Sequence, residues 1–278
     1  MMLAPPYSSP DHLPQTIAQQ GYAALSPQGV AAQAGCGADS LAALRDAWND
    51  LPPDQYLKDG GKYRRRRHSC FVVEGARVTQ VDHRAHWQPL AYNALHGGMQ
   101  RWFEPVRPAT VAQPAWHSLL AWLGRVASAL RGPQAWFVEA HQFRIDTTDG
   151  IGRPTPEGAH RDGVDFVAVF LVDRQGIKGG ETRVFDATGP GGGAFHAGGT
   201  LVPVAAGRCP RGPRDHADPA AGGWGVPRYP GADPARRWLP GRGRCLSNVN
   251  VATPCRVHTG NRRPTRSHCH VQTPARSH

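Results

Sequence analysis

Apolar and polar residues alternate with a period of two in several short segments of this chain. Residues 135–145 are aromatic and alternating, which predicts a strand. Residues 164–172 form a largely apolar run that is typical of a buried strand, and residues 177–186 predict a further strand entered through a pair of glycines. Residues 63–73 and 76–81 predict a hairpin that turns at Glu74 and Gly75.

A helical period replaces this alternation in two places. Apolar residues between Trp116 and Leu130 recur at spacings of three and four, and Gly132-Pro133 predicts the end of that helix. Ser40 is predicted to cap a second helix that runs to Trp48 and stops before the proline pair at 52 and 53. We expect both helices to pack on the outside of a β-core.

His160 and Asp162 carry the most informative chemistry. Two residues that are two apart on a strand project from the same face, because the side-chain period of a strand is two. An imidazole and a carboxylate that converge in this way make up two thirds of the 2-His-1-carboxylate triad, which holds non-haem Fe(II) and leaves coordination positions open. The pair therefore predicts a metal site at His160 and Asp162, although a surface turn after the proline-rich loop is the plainer alternative.

Short strands joined by turns, with a metal pair at the start of one strand, predict a double-stranded β-helix, which is a jelly roll closed on itself. The fold class expected is α+β and mainly β. It combines a jelly-roll, cupin-like core with flanking N-terminal helices and an irregular C-terminal tail.

Four motifs between residues 142 and 186 resemble those of the 2-oxoglutarate/Fe(II) dioxygenases that hydroxylate free amino acids in bacteria, such as L-isoleucine 4-hydroxylase. The arginine-rich segment 63–69 also resembles the N-terminal half of that family. The motifs are Gln142-x-Arg144, Pro154-Thr155-Pro156-Glu157-Gly158, His160-x-Asp162-Gly163 and Gly179-Gly180-Glu181-Thr182. The resemblance implies Fe(II) bound by His160, Asp162 and a distal histidine, 2-oxoglutarate as cosubstrate, and a free aliphatic L-amino acid as substrate. It identifies no 2-oxoglutarate-binding residue in this chain.

Charge and composition divide the chain after residue 194. Residues 195–278 contain 13 Arg, no Lys, no Glu and only three Asp, so they carry +10 of the +11 net charge. They also hold four of the six cysteines. A segment of this composition buries too little apolar surface to offset the entropy lost on ordering. We therefore expect a dioxygenase-like domain with an incomplete β-core at 1–194 and a disordered tail at 195–278.

Three interpretations of the tail are a disordered basic extension, a nucleic-acid-binding arm, and translation in the wrong frame. Shifting the reading frame by one nucleotide permits family-like strand sequences in three segments, 195–202, 207–218 and 227–234, and the second includes a histidine where the distal iron ligand is expected. We favour the frameshift, with an insertion or deletion in the glycine-coding run. Under that interpretation His216 and Arg228 stand near the missing ligand and the missing oxoacid-binding arginine only by coincidence.

The remaining observations concern partners and location. No apolar run approaches the length of a membrane span, and no N-terminal signal segment is evident. Cys36 and Cys70 alone provide no disulfide framework in the first 194 residues, which favours the cytoplasm. The arginines at 64–67 are expected on an alternating strand with half of them in solvent. The alternatives are a nuclear signal or phosphate patch, and binding of a substrate or cosubstrate carboxylate, which the planar guanidinium suits. A nucleic-acid-binding protein and a cupin-like binding protein without catalysis are the alternative functions, and we do not expect nucleic acid or membrane as a partner.

Overall fold

The structure is a computed structural model. It describes residues 7–57, 63–88, 90, 97–147 and 164–176 in full, and the backbone alone of residues 182–185, 192–195 and 244–253. Among these residues, none of the helices combines the length and the apolar character that a membrane crossing requires.

Short helices occupy the N-terminal part of the chain. They are a 3-10 helix at Pro10–His12, α1 at Leu13–Gln20, α2 at Pro27–Ala34, α3 at Ala38–Ala43 and a second 3-10 helix at Leu44–Trp48. Helix α2 shows why they start and stop where they do. The side chain of Ser26 accepts a hydrogen bond from the Gly29 amide at 3.1 Å, and the helix ends at Gly35 with φ of 69°.

The predicted cap at Ser40 is wrong. Helix α3 begins after Gly37, whose backbone is extended, and Ser40 lies inside the helix. The acidic Asp39 falls in the first turn, where a negative charge is favourable near the helix N-terminus. The predicted segment to Trp48 is helical, but from Leu44 onward it tightens to 3-10 geometry.

The long predicted helix is confirmed as α5, which spans Pro114–Arg131 and follows the short α4 at Pro108–Val111. Proline occupies the first turn, where no backbone donor is lost, and Gly132 ends the helix with φ of 89°. The buried residues of α5 include Trp116, Leu120 and Leu123, which join the main hydrophobic core.

Seven strands are described. They are β1 at Arg64–Glu74, β2 at Arg77–Gln80, β3 at Trp136–Ile145, β4 at Phe166–Leu171, β5 at Thr182–Phe185, β6 at Gly192–Phe195 and β7 at Arg244–Thr253. The predicted hairpin is confirmed by the antiparallel pairing of β1 with β2, and β3 and β4 lie where alternation and apolarity predicted them. The strand predicted at 177–186 is described only over β5.

The described strands form a five-stranded sheet in the order β2-β1-β3-β7-β4 and a separate β5-β6 pair. Strand β7 lies parallel to both of its neighbours, β3 and β4. A jelly roll is built from antiparallel pairs, so the mixed sheet agrees with the predicted α+β class without itself displaying the predicted double-stranded β-helix. The expectation of a wholly irregular tail is wrong at β7, because ladder hydrogen bonds to β3 and β4 satisfy its backbone.

One face of the sheet packs against the helices. Trp136 of β3 is fully buried, and its Nε1 donates a hydrogen bond to Ser128 Oγ of α5 at 2.8 Å. The ring of Phe71 on β1 lies 6.1 Å from that of Trp116. This part of the hydrophobic core lies between α5 and one face of β1 and β3. The opposite face of the two strands remains for other contacts.

The closest approach of α5 to the sheet occurs at Gly124. A Cβ added there would lie 2.6 Å from Cγ1 of Val73 on β1. Gly124→Ala is therefore expected to lower the free energy of unfolding by about 1–3 kcal/mol from overpacking, which outweighs the gain of about 1 kcal/mol from better helix propensity. Chemical denaturation checks this change.

The control is a double-mutant cycle with Val73→Ala, which removes the methyl groups that the new Cβ would meet. The two substitutions together should cost less than the sum of the separate costs. A Gly124→Ala variant more stable than the parent protein would contradict the expected clash.

Candidate functional site

The predicted metal ligands His160 and Asp162, and the loop motif at 154–158, lie outside the described residues. Gln142 and Arg144 of the first family-like motif lie on β3. The Gln142 side chain is buried, and Arg144 Nη1 donates to the backbone oxygen of Asn49 at 3.5 Å. The described structure therefore neither places the His160/Asp162 pair nor tests it.

A different group of polar side chains meets on the sheet face that α5 does not cover. Antiparallel pairing of β1 with β3 sets His68 opposite His141 and Cys70 opposite Glu139. Directly opposed residues project from the same face of a sheet. Glu139 and His141 are two apart on β3, so strand alternation brings both to that face.

The segment that follows β2 adds a third histidine to this face. His86 is held by a backbone bridge to Arg101, with hydrogen bonds of 2.9 Å and 3.0 Å between the two residues. Its Nδ1 lies 3.0 Å from Glu139 Oε2. The ring of His141 lies 4.7 Å from that of His86 and 4.6 Å from that of His68. One ligand atom from each of these four residues lies within 4.8 Å of the others. We call His68, His86, Glu139 and His141 the His/Glu cluster.

Burial sets the protonation of the cluster. It lowers the pKa of His68 to about 3, and it also lowers the pKa of His141 well below the ordinary value for histidine. Burial raises the pKa of the Glu139 carboxyl, which nearby positive groups partly counteract. Both imidazoles are therefore neutral at pH 7 and offer nitrogen lone pairs.

Buried arginines adjoin the cluster, contrary to the prediction that half of the arginines at 64–67 are in solvent. Arg64, Arg66 and Arg67 are buried and Arg65 is partly buried. Arg66 lies between two aromatic rings, 3.8 Å from the centre of Phe103 and 4.4 Å from that of Phe143. Its Nη2 donates to His141 Nδ1 at 2.6 Å. The predicted strand over 64–67 is confirmed as part of β1. The arginines are nevertheless buried, because segments outside the sheet cover both of its faces.

Asp54 is the main counter-charge for these arginines. Its side chain is fully buried, and Oδ2 lies 2.8 Å from Arg64 Nε and 3.8 Å from Arg66 Nη1. Oδ1 accepts a hydrogen bond from the Tyr56 amide at 2.9 Å. Burial lowers the pKa of Arg66, and the neighbouring carboxylate of Asp54 opposes that shift.

The donor set of the His/Glu cluster fits a divalent first-row metal such as iron or zinc. Imidazole and carboxylate are the protein ligands that these ions take. His68 Nδ1 and His141 Nε2 are buried and have no hydrogen-bond partner among the described residues. Of these two atoms, His68 Nδ1 is the one whose lone pair a metal ion could take, because the hydrogen bond from Arg66 to His141 Nδ1 leaves the ring proton of His141 on Nε2.

Residues 45–201 match the family of 2OG-Fe dioxygenases. The matched span is more than half of the chain and includes β1 to β6. The chain belongs to the 2OG-Fe dioxygenase family. It is accordingly an enzyme that uses Fe(II) and 2-oxoglutarate and acts on a small-molecule substrate, as the family resemblance predicted.

Two solved structures are similar to this dioxygenase. A bsmA homologue from Methylobium petroleophilum is 47% identical over 73% of this chain and 84% of its own, with a TM-score of 0.66. IDO from Bacillus thuringiensis is 12% identical over 72% of this chain and 86% of its own, with a TM-score of 0.52. The second likeness concerns the fold alone. No curated protein matches the chain.

Proposed function

We propose that this dioxygenase hydroxylates an aliphatic carbon of a free L-amino acid, with its catalytic iron held by His160, Asp162 and a distal histidine. The observation that carries this proposal is the family match over residues 45–201, which contains the His160-x-Asp162 pair in its family-like setting. The resemblance of the flanking motifs to L-isoleucine 4-hydroxylase supports the substrate class.

The roles of the residues follow from their types. His160 and Asp162 would supply one neutral and one anionic ligand from the same strand face and leave positions open for 2-oxoglutarate and O₂. When bound, the iron and its cosubstrate supply the oxidising power for attack on an unactivated C–H bond. The protein's contribution is to position the substrate carbon and to keep the site dry.

We also propose that the tail after residue 194 is translated out of frame. The family match ends at residue 201, seven residues beyond the composition break, which supports a boundary near this point. The parallel strand β7 also supports it, because a parallel pairing is foreign to a jelly roll. Residues 1–194 would then contain the dioxygenase domain without its closing strands.

The nucleic-acid-binding alternative loses one of its two basic surfaces. Arg64, Arg66 and Arg67 are buried and engaged with protein groups, so they are not available to phosphates. Only the basic tail remains for that function. The structure records no disulfide at Cys36 or Cys70, which agrees with our proposal that the enzyme acts in the cytoplasm.

His160→Ala is expected to abolish succinate formation from 2-oxoglutarate, because an iron site that loses a ligand no longer holds the metal in a reactive geometry. The measurement is 2-oxoglutarate-dependent succinate release with a panel of aliphatic L-amino acids, made on the protein with its reading frame restored. The matched control is His117→Ala, which changes an exposed histidine on α5.

Equal turnover in the two variants would remove His160 from the iron site. Absence of turnover across the whole amino-acid panel, with uncoupled 2-oxoglutarate consumption retained, would leave the enzyme class intact and refute the substrate class. Absence of both reactions with iron still bound would favour a non-catalytic cupin-like binding protein.

A further inference from the structure

We propose that His68, His86 and Glu139 bind a second divalent metal ion, separate from the iron assigned to His160 and Asp162, and that His141 positions Glu139 for this role. The proposal rests on the proposed function only in naming the other site. The chemical class of ligand is a first-row cation that accepts nitrogen and oxygen donors, such as Zn(II) or Fe(II).

The first support is the spacing of the donors. Two ligand atoms that each lie about 2.1 Å from a metal are about 3.0 Å apart at a right angle and about 3.4 Å apart at the tetrahedral angle. His86 Nδ1 and Glu139 Oε2 are 3.0 Å apart. The ligand atoms of the whole cluster lie within 4.8 Å of one another, so small side-chain movements bring them around a single ion.

The second support is the hydrogen bonding of His68. Its Nδ1 is buried without a hydrogen-bond partner among the described residues, which is costly for a polar atom. Its Nε2 lies 3.5 Å from Cys70 Sγ. A proton on Nε2 directed at that sulfur leaves the lone pair of Nδ1 for a metal. A ligating histidine commonly donates its other ring N–H to a neighbouring acceptor in this way.

His141 is assigned a positioning role because of Arg66. A guanidinium is a donor only, so Nδ1 of His141 must accept the 2.6 Å hydrogen bond from Arg66 Nη2. The proton of the neutral ring then sits on Nε2, which cannot bind a metal in that state. Nε2 lies 3.8 Å from Glu139 Oε2, so a side-chain movement of less than about 1 Å would let its N–H donate to the carboxylate and orient it.

The donors come from three separate segments of the described chain. His68 is on β1, Glu139 and His141 are on β3, and the backbone bridge to Arg101 holds His86. The positive charge of Arg66 opposes a cation, but Arg66 contacts the far nitrogen of His141 and also faces Asp54. We therefore expect an affinity below that of a structural zinc site with no neighbouring cation.

The test measures binding of Zn(II) alone to the full 278-residue chain, carried on a solubility partner, by equilibrium dialysis with metal analysis. Every variant keeps the same tail at 195–278, which contains cysteines and histidines. Zinc bound by the tail is therefore equal in all variants and does not affect the difference between them. The double variant His160→Ala/Asp162→Ala should retain the zinc equivalent assigned to the cluster. His86→Ala and Glu139→Gln should each weaken that equivalent by more than the roughly 100-fold that loss of a supporting contact costs at most, and His117→Ala should have no effect.

Thermal unfolding keeps the test valid when a variant is unstable. Zinc should raise the melting temperature of the parent chain and of His160→Ala/Asp162→Ala, and should raise that of the isosteric Glu139→Gln by less than that of the parent chain, because the cluster then contributes little zinc binding. His141→Gln should retain the zinc equivalent with weaker affinity. Loss of that equivalent in His141→Gln, to the same extent as in Glu139→Gln, would overturn the positioning role.

Two results would overturn the second site itself. One is loss of all chain-specific zinc in His160→Ala/Asp162→Ala, which leaves the proposed dioxygenase site as the metal centre. The other is unchanged zinc affinity in both His86→Ala and Glu139→Gln. Succinate formation by the frame-restored protein reports separately on the proposed function, so failure of one proposal does not imply failure of the other.

Discussion

Restoring the alternative reading frame after the glycine run at 191–193 is expected to raise 2-oxoglutarate turnover by about 100-fold or more over that of the chain as written. Loss of supporting contacts around a metal alone typically costs about 10- to 100-fold, and the written chain would also lack the distal histidine ligand. The frame-restored protein should be more soluble as well, because closing strands remove exposed sheet edges that favour aggregation.

Succinate release and the soluble fraction after expression are the two measurements. A matched control carries the restored segment with its distal histidine changed to alanine, which keeps the strands and removes the ligand. That control should be soluble and inactive. Resequencing of the DNA around the codons for residues 191–195 provides the most direct check.

A confirmed written frame, together with a soluble chain that binds iron tightly and turns over, would refute the frameshift. The third ligand would then have to come from the written tail, where His196 and His216 are the candidates. Alanine substitution of each would distinguish between them.

Asp54→Ala is expected to lower the free energy of unfolding by about 3–5 kcal/mol, because it leaves Arg64 and Arg66 buried without their shared counter-charge. Arg64 and Asp54 are 2.8 Å apart, with side-chain exposures of 6% and 0%. Chemical denaturation monitored by tryptophan fluorescence measures the loss.

The matched control is Asp50→Ala, which breaks the ion pair of Asp50 with Arg107. Those side chains are 67% and 56% exposed, and an exposed pair contributes about 0–1 kcal/mol. Similar losses for the two variants would show that solvent reaches Asp54. Replacing Asp54 and Arg64 together by apolar residues should cost less than Asp54→Ala, because Arg66 alone, rather than both arginines, then loses its carboxylate partner.

The His/Glu cluster was partly visible in the sequence. Glu139 and His141 show the two-residue spacing that singled out His160 and Asp162, so the same argument places them on one strand face. Their partners could not be found in this way. His68 reaches His141 only through the register of β1 against β3, and His86 comes from a segment without regular structure.

The sequence by itself determined the elements whose signals are local. Alternation located β1 and β3, apolarity located β4, and helical spacing with a terminal glycine located α5. Motifs that depend on residue identity at fixed spacing identified the dioxygenase family and its cosubstrate, because metal chemistry limits which residues serve. The cap of α3 was misplaced, since Gly37 and Ser40 are both acceptable N-caps and neighbouring structure chooses between them.

Only the tertiary structure decided what covers each face of the sheet. The burial of Arg64 and Arg66 depends on Asp54 and Phe103, which belong to segments outside the sheet. The sequence of β7 has no strong alternating pattern that would predict a strand. Its position between β3 and β4 depends on the backbone groups that the edges of those two strands offer for pairing. Periodicity specifies which side chains share a face, whereas register and packing between distant segments specify what that face meets.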